Sequence, residues 1–120
     1  MSSYDSLVSA LKALTQGEEP NTVTLPMAEN EWKPRPEAES YGIVGLDFET
    51  DALRGDDRKA DTAFEGSVDL FSHAKSGAGW VPLITGKLTE HCGGCWSLNS
   101  HVYERETGLF HWEWTFEVTD

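Results

Sequence analysis

From Leu109 to Val118 the chain alternates: Phe110, Trp112, Trp114, Phe116 and Val118 take every second position, with His111, Glu113, Thr115 and Glu117 between them. Successive side chains of an extended strand point to opposite faces, so this spacing gives one large apolar face and one polar face. Trp96 to Arg105, centred on His101, Val102 and Tyr103, reads as a second strand, and Glu106, Thr107 and Gly108 as the short link of a hairpin. A chain ending this way must build a sheet with one heavily aromatic face and must cover that face. The parity also bears on Trp112 and Trp114, which share a side with Phe110 and Phe116: they read as core, not as a platform for stacking bases or sugars.

Candidates to cover the sheet are found upstream. Tyr4 to Leu14 predicts a helix with Leu7, Val8, Leu11 and Leu14 on one stripe, Ser2, Ser3 or Asp5 to cap its start, and Gly17 at its C-terminal cap. Trp80 to Glu90 predicts a second, with Trp80, Ile84 and Leu88 on one stripe, Pro82 in its first turn and Gly93-Gly94 at its end. Gly86 within it costs about 1 kcal/mol relative to Ala. Two more strands are expected. Tyr41 to Leu53 places Val44, Leu46 and Phe48 on one face and Asp47, Glu49 and Asp51 on the other; Ala60 to Phe71 places Phe64, Val68 and Leu70 opposite Glu65, Ser67 and Asp69. Arg54 to Lys59, with Gly55-Asp56-Asp57, reads as the turn-rich tip between them, and Ser72 to Gly79 as a small-residue loop. Residues 20–40, which hold Pro20, Pro26, Pro34 and Pro36, read as a Pro-rich extended arm anchored by Val23 with Leu25 and by Trp32. The expected order is α-β-β-α-β-β: an α+β fold with an antiparallel or mixed four-stranded sheet covered on one face by two helices.

At 120 residues the chain is long enough for one core but not two. Its net charge of −12, from 21 acidic against nine basic residues, repels phosphate backbones and excludes a basic nucleic-acid groove. The same charge suits a basic partner surface, or a surface to which DNA must not stick. No apolar run approaches the roughly 20 residues of a membrane span, and Met1 to Asp5 lack the positive start of a secretory signal. The expectation is a protein made in the cytoplasm with no membrane partner.

Chemistry-bearing motifs are few. His91-Cys92-Gly93-Gly94-Cys95 holds a Cys-x-x-Cys pair, half of a tetrahedral zinc site, with only His73, His91, His101 or His111 to complete it. A redox role needs such a pair after a strand and at a helix N-terminus, whereas here it follows a helix, so the two thiols read as structural. Asp47, Glu49, Asp51, Asp56, Asp57, Asp61, Glu65 and Asp69 crowd the first hairpin, opposed by Arg54, Arg58 and Lys59. Alternating acids on strands read as a solvated face, and Asp56-Asp57 lacks the spacing of a calcium loop. No nucleophile, base and oxyanion donor assemble, so no catalytic residue, cofactor or metal is assigned.

Taken together, the short helix Leu7–Leu14, the Pro-rich stretch, the segment opening at Tyr41-Gly42-Ile43-Val44, the run Phe64-Glu-Gly-Ser-Val-Asp-Leu-Phe-Ser72 leading into a Trp80–Leu88 helix, and the closing Tyr103-Glu-Arg-Glu-Thr-Gly-Leu-Phe-His-Trp112 resemble the small tail-terminator and tail-completion (head-tail joining) proteins of long-tailed bacteriophages. The resemblance implies a non-enzymatic virion protein at the head-proximal end of the tail. It implies a homo-oligomeric ring, of six in such proteins, that stops the tail tube protein polymerising and meets the head-tail connector protein. DNA would pass through without specific binding. A closed ring needs one surface of each subunit to dock on a different surface of the next. The arm with Trp32, the tip Arg54, Asp56, Asp57, Arg58 and Lys59, and open strand edges are the expected interface, and Asp47, Glu49 and Asp51 the expected lumen wall. Rival expectations are an acidic DNA mimic that inhibits a host nucleic-acid enzyme, a neck or head-completion adaptor, and a zinc module on Cys92 and Cys95.

Overall fold

The apolar stripes and alternations become two helices and a mixed sheet. A computed structural model describes residues 3–31, 33–35, 37–49 and 63–119, with Phe48 and Glu49 described through their backbone. Helix α1 (Ser3–Lys12) buries Tyr4, Leu7, Val8 and Leu11, and α2 (Trp80–Cys92) buries Trp80, Ile84, Leu88 and Cys92. Asp5 in the first turn of α1 and Lys12 in its last complement the helix dipole. Pro82 is tolerated in the first turn of α2, where backbone N–H groups have no intrahelical partner.

The strands are β1 (Thr15–Gln16), β2 (Val23–Thr24), β3 (Met27–Glu29), β4 (Ser40–Glu49), β5 (Ala63–Ser72), β6 (Trp96–Glu104) and β7 (Leu109–Thr119). β1 and β2 form a two-stranded sheet; the other strands form a five-stranded sheet in the order β3-β4-β5-β7-β6. β3 runs parallel to β4, and every other neighbouring pair is antiparallel. Both helices pack on one face, where Val44, Val68, Leu70, Trp112, Trp114, Phe116 and Val118 join the helical stripes in a single core. The face expected from the C-terminal alternation is therefore the buried one.

Several expectations need correction. The sheet has a fifth strand, because the Pro-rich arm is not simply extended: it folds back and lends β3 to the edge of β4. Gly42 N–H donates to the Pro26 carbonyl at 2.8 Å, and Asn30 N–H to the Val44 carbonyl at 2.8 Å. Asn30 takes a positive φ of 59° and its Oδ1 accepts from Leu46 N–H at 3.1 Å, which fastens the end of the arm. Helix α1 holds the same strand from its other side, since the Tyr4 hydroxyl donates to Glu29 Oε2 at 3.1 Å and Lys12 Nζ lies 3.7 Å from Glu29 Oε1. Val23 is exposed and does not anchor the arm; Leu25 is the buried residue. Helix α1 ends at Lys12, so Gly17 does not cap it. Gly17 has a φ of +93° in the link from β1 to β2, where a Cβ would lie 2.6 Å from the Asn21 carbonyl oxygen. The anchor Trp32 lies outside the described residues.

Candidate functional site

The face of the sheet that the helices leave uncovered is ordered by strand register into rows. Glu65 of β5 faces Glu117 of β7, and Asp47 lies in the β-bulge of β4 between Leu46 and Phe48. Together with Ser97, Thr115, Cys95 and Trp96, these three carboxylates line an open depression. The next row is hydroxylic: Ser67 faces Thr115, which faces Ser97 on β6, and Thr115 Oγ1 accepts from Asn99 Nδ2 at 2.9 Å. A third row again opposes two acids, Asp69 and Glu113.

The following row carries the tightest polar contacts of the face. His111 faces Phe71 across β5/β7 and Val102 across β7/β6. Its Nε2 lies 2.7 Å from Asp69 Oδ1 and its Nδ1 lies 2.9 Å from Glu104 Oε2. Its ring stacks on Phe71 at 4.2 Å, and Phe71 in turn on Tyr41 at 5.1 Å, so an aromatic column crosses β4, β5 and β7. The hydrogen bond to Asp69 raises the His111 pKa most; burial opposes this and Glu104 adds to it. Both ring nitrogens are engaged by carboxylates, which leaves none to activate a nucleophile. The imidazole ties three strands together, and as the imidazolium it offsets one of the two carboxylate charges beside it. Burial of Tyr41, beside Glu104, likewise raises its phenol pKa.

The Cys-x-x-Cys turn lies at the other end of the molecule's chemistry. Cys92 closes α2 and is buried in the core, while Cys95 is exposed, and both are free thiols. Burial, reinforced by Cys95, pushes the Cys92 thiol up to about 11. A buried thiol at a helix C-terminus resists forming the thiolate that a metal or a disulfide exchange requires. His91 Nε2 sits 3.7 Å from Glu90 Oε2. His101 and His111 do not converge: His101 faces Trp112 and stacks on it at 4.3 Å on the helix-bearing side, whereas His111 belongs to the open face. Among the described residues no cluster of three or more His, Cys, Asp or Glu is arranged to hold a metal.

The chain matches no known family and no curated protein. Of the residues expected to form an interface or lumen, Asp47 lies on the open face. Glu49 ends β4. Asp51, Arg54, Asp56, Asp57, Arg58, Lys59 and Trp32 lie outside the described residues. The open face also gathers Glu65, Asp69, Glu104, His111, Glu113 and Glu117, which sequence reasoning left as a solvated side. The missing information was strand order: only the pairing of β5 with β7 sets Glu65 against Glu117 and His111 against Asp69. No helix among the described residues is long and apolar enough to cross a membrane.

Proposed function

We propose that this chain is a tail-terminator or tail-completion component of a long-tailed bacteriophage, a structural protein acting as a closed ring, of six subunits in the proteins it resembles. It would sit at the head-proximal end of the tail, between the tail tube protein and the head-tail connector protein. One observation carries the reading: the uncovered sheet face sets carboxylate against carboxylate across adjacent strands, Glu65 with Glu117 and Asp69 with Glu113. Like charges directly opposite each other destabilise a sheet, and while His111 compensates Asp69, the Glu65–Glu117 pair is set at a cost to stability. A channel for DNA gives that cost a use. Negative walls within a Debye length of about 8–10 Å keep phosphates from adhering as DNA moves past. The reading needs no catalytic group, cofactor or metal.

Native mass measurement and negative-stain images test the assembly, with the chain alone and mixed with tail tubes. A ring of identical subunits capping the tubes is the expected result. A chain that stays strictly monomeric at high concentration and with tubes present overturns the reading.

The same acidic rows favour a second reading, an acidic DNA mimic presenting carboxylates in place of phosphates. Competition with DNA for a nuclease or polymerase, without ring formation, would select it over the tail component.

A further inference from the structure

Strand β6 forms one border of the five-stranded sheet: β7 pairs with one side of it, and no described strand pairs with the other. None of its nine residues is buried. Among the described residues the large exposed apolar side chains are Val23, Leu83, Leu98 (45%), Val102 (49%) and Tyr103 (53%), so β6 carries most of them. Natural sheet borders are guarded by Lys, Pro, bulges or inward charges. Between Trp96 and Glu104 there is no Lys, Arg or Pro, and the sole guard is the bulge between Leu98 and Ser100. Beyond that bulge, Ser100–Glu104 is a regular, open stretch of ladder.

Its two sides differ in chemistry. On the helix-bearing side, His101 stacks on Trp112 and Tyr103 packs against Phe110 at 4.9 Å, an aromatic floor that stops at the border. On the open side, Glu104 ends the stretch, Glu113 lies behind Ser100, and Glu106 joins Tyr103, Glu104, Arg105 and Thr107 around a depression at the hairpin turn. A second copy of β6 would bring its own Glu104 and Glu106 against these carboxylates and is repelled from this border, whereas a cationic segment is drawn to it.

We infer that the Ser100–Glu104 border of β6 accepts an extended, cationic segment of a different protein as a sixth strand. The segment alternates apolar residues, which extend the aromatic floor beside His101 and Tyr103, with Lys or Arg, which meet Glu104, Glu106 and Glu113. Main-chain hydrogen bonds hold it, and the alternation selects it. The inference does not rest on the ring reading, because a monomer would present the same border.

The probe is a capped peptide as long as β6, nine residues alternating Val and Lys, compared with one alternating Val and Glu. The readout is amide hydrogen exchange of the full chain. The Lys peptide should slow exchange in Ser100–Glu104 by about tenfold or more, an effect that weakens with added salt, and the Glu peptide should not. The double variant V102K/Y103K, at two exposed positions, gives up the Tyr103–Phe110 contact and should melt only slightly lower, yet it should lose that protection. No protection by the Lys peptide, equal protection by both peptides, protection that survives the double variant, or self-association of the chain through β6 would each overturn the inference.

Discussion

His111 holds together two carboxylates from different strands, and it can donate to both only as the imidazolium, because the neutral ring has a single N–H. Its raised pKa, set first by the hydrogen bond to Asp69, means that the folded state binds this proton more tightly than the unfolded state. The stabilisation is therefore full below the ordinary histidine value of about 6.5 and is lost as pH rises through the higher folded value. A H111Q variant should be less stable than the parent chain by about 1–2 kcal/mol near pH 6, with the gap narrowing at alkaline pH. Urea midpoints at several pH values measure this, and a gap that does not change with pH would mean that the ring is neutral in the fold. The cysteines make a second residue-scale contrast. Cys95 is exposed and Cys92 is buried with its thiol pushed up to about 11. Cys95 alone should react with a thiol reagent in the native protein and Cys92 only after denaturation. Equal native rates would show that the end of α2 opens readily.

Two glycines test how elements are held. Gly66 of β5 lies under the Phe116 ring, and a Cβ there would strike the Gly45 carbonyl of β4 and come within 2.7 Å of Phe116 Cζ. G66A should cost about 1–3 kcal/mol by forcing β4 and β5 apart. Gly86 of α2 has open space where a Cβ would go, so G86A should gain about 0.5–1 kcal/mol from helix propensity and reduced unfolded-state entropy. Opposite signs in thermal or denaturant melts are the expected outcome. What the sequence made legible follows the same line. Strands β4, β5 and β7 and both helices carry enough residues for a period of two or of 3.6 to show, and Val44, Val68, Leu70, the C-terminal aromatic row and the helical stripes are buried, whereas none of the β6 residues is. β1, β2 and β3 span two or three residues each, too few for any period, and β3 is held by backbone bonds to β4 and by Tyr4 and Lys12, partners remote in sequence. The bulges at Asp47 and Asn99 leave no mark in an alternation pattern, yet the first sets Phe48 in place of Asp47 opposite Glu65 and so reverses the expected rows of Phe48 and Glu49.

At the scale of the whole molecule the question is whether the acidity acts as overall charge or as a wall. The helices cover one face, and Asp47, Glu65 and Glu117 stand together on the other, lining one open depression. Reversing these three to Lys leaves the chain acidic overall, from a starting charge of −12, but makes that part of the face cationic. If net charge alone kept DNA away, the triple variant would still not bind it. If the face is the barrier, duplex DNA should be retained by the variant and not by the parent chain at about 0.15 M salt, and retention should fall steeply as salt rises. The fold itself should change little, because the triple variant sets lysine against lysine where Glu65 faced Glu117 and so exchanges one cross-strand like-charge repulsion for another of similar size, a few tenths to about 1 kcal/mol. The variant should therefore melt near the parent temperature and still assemble, while phage carrying it eject DNA more slowly. Variant rings that assemble, bind no DNA and eject at the parent rate would remove the channel wall from the reading and leave the carboxylate rows without a use in DNA passage.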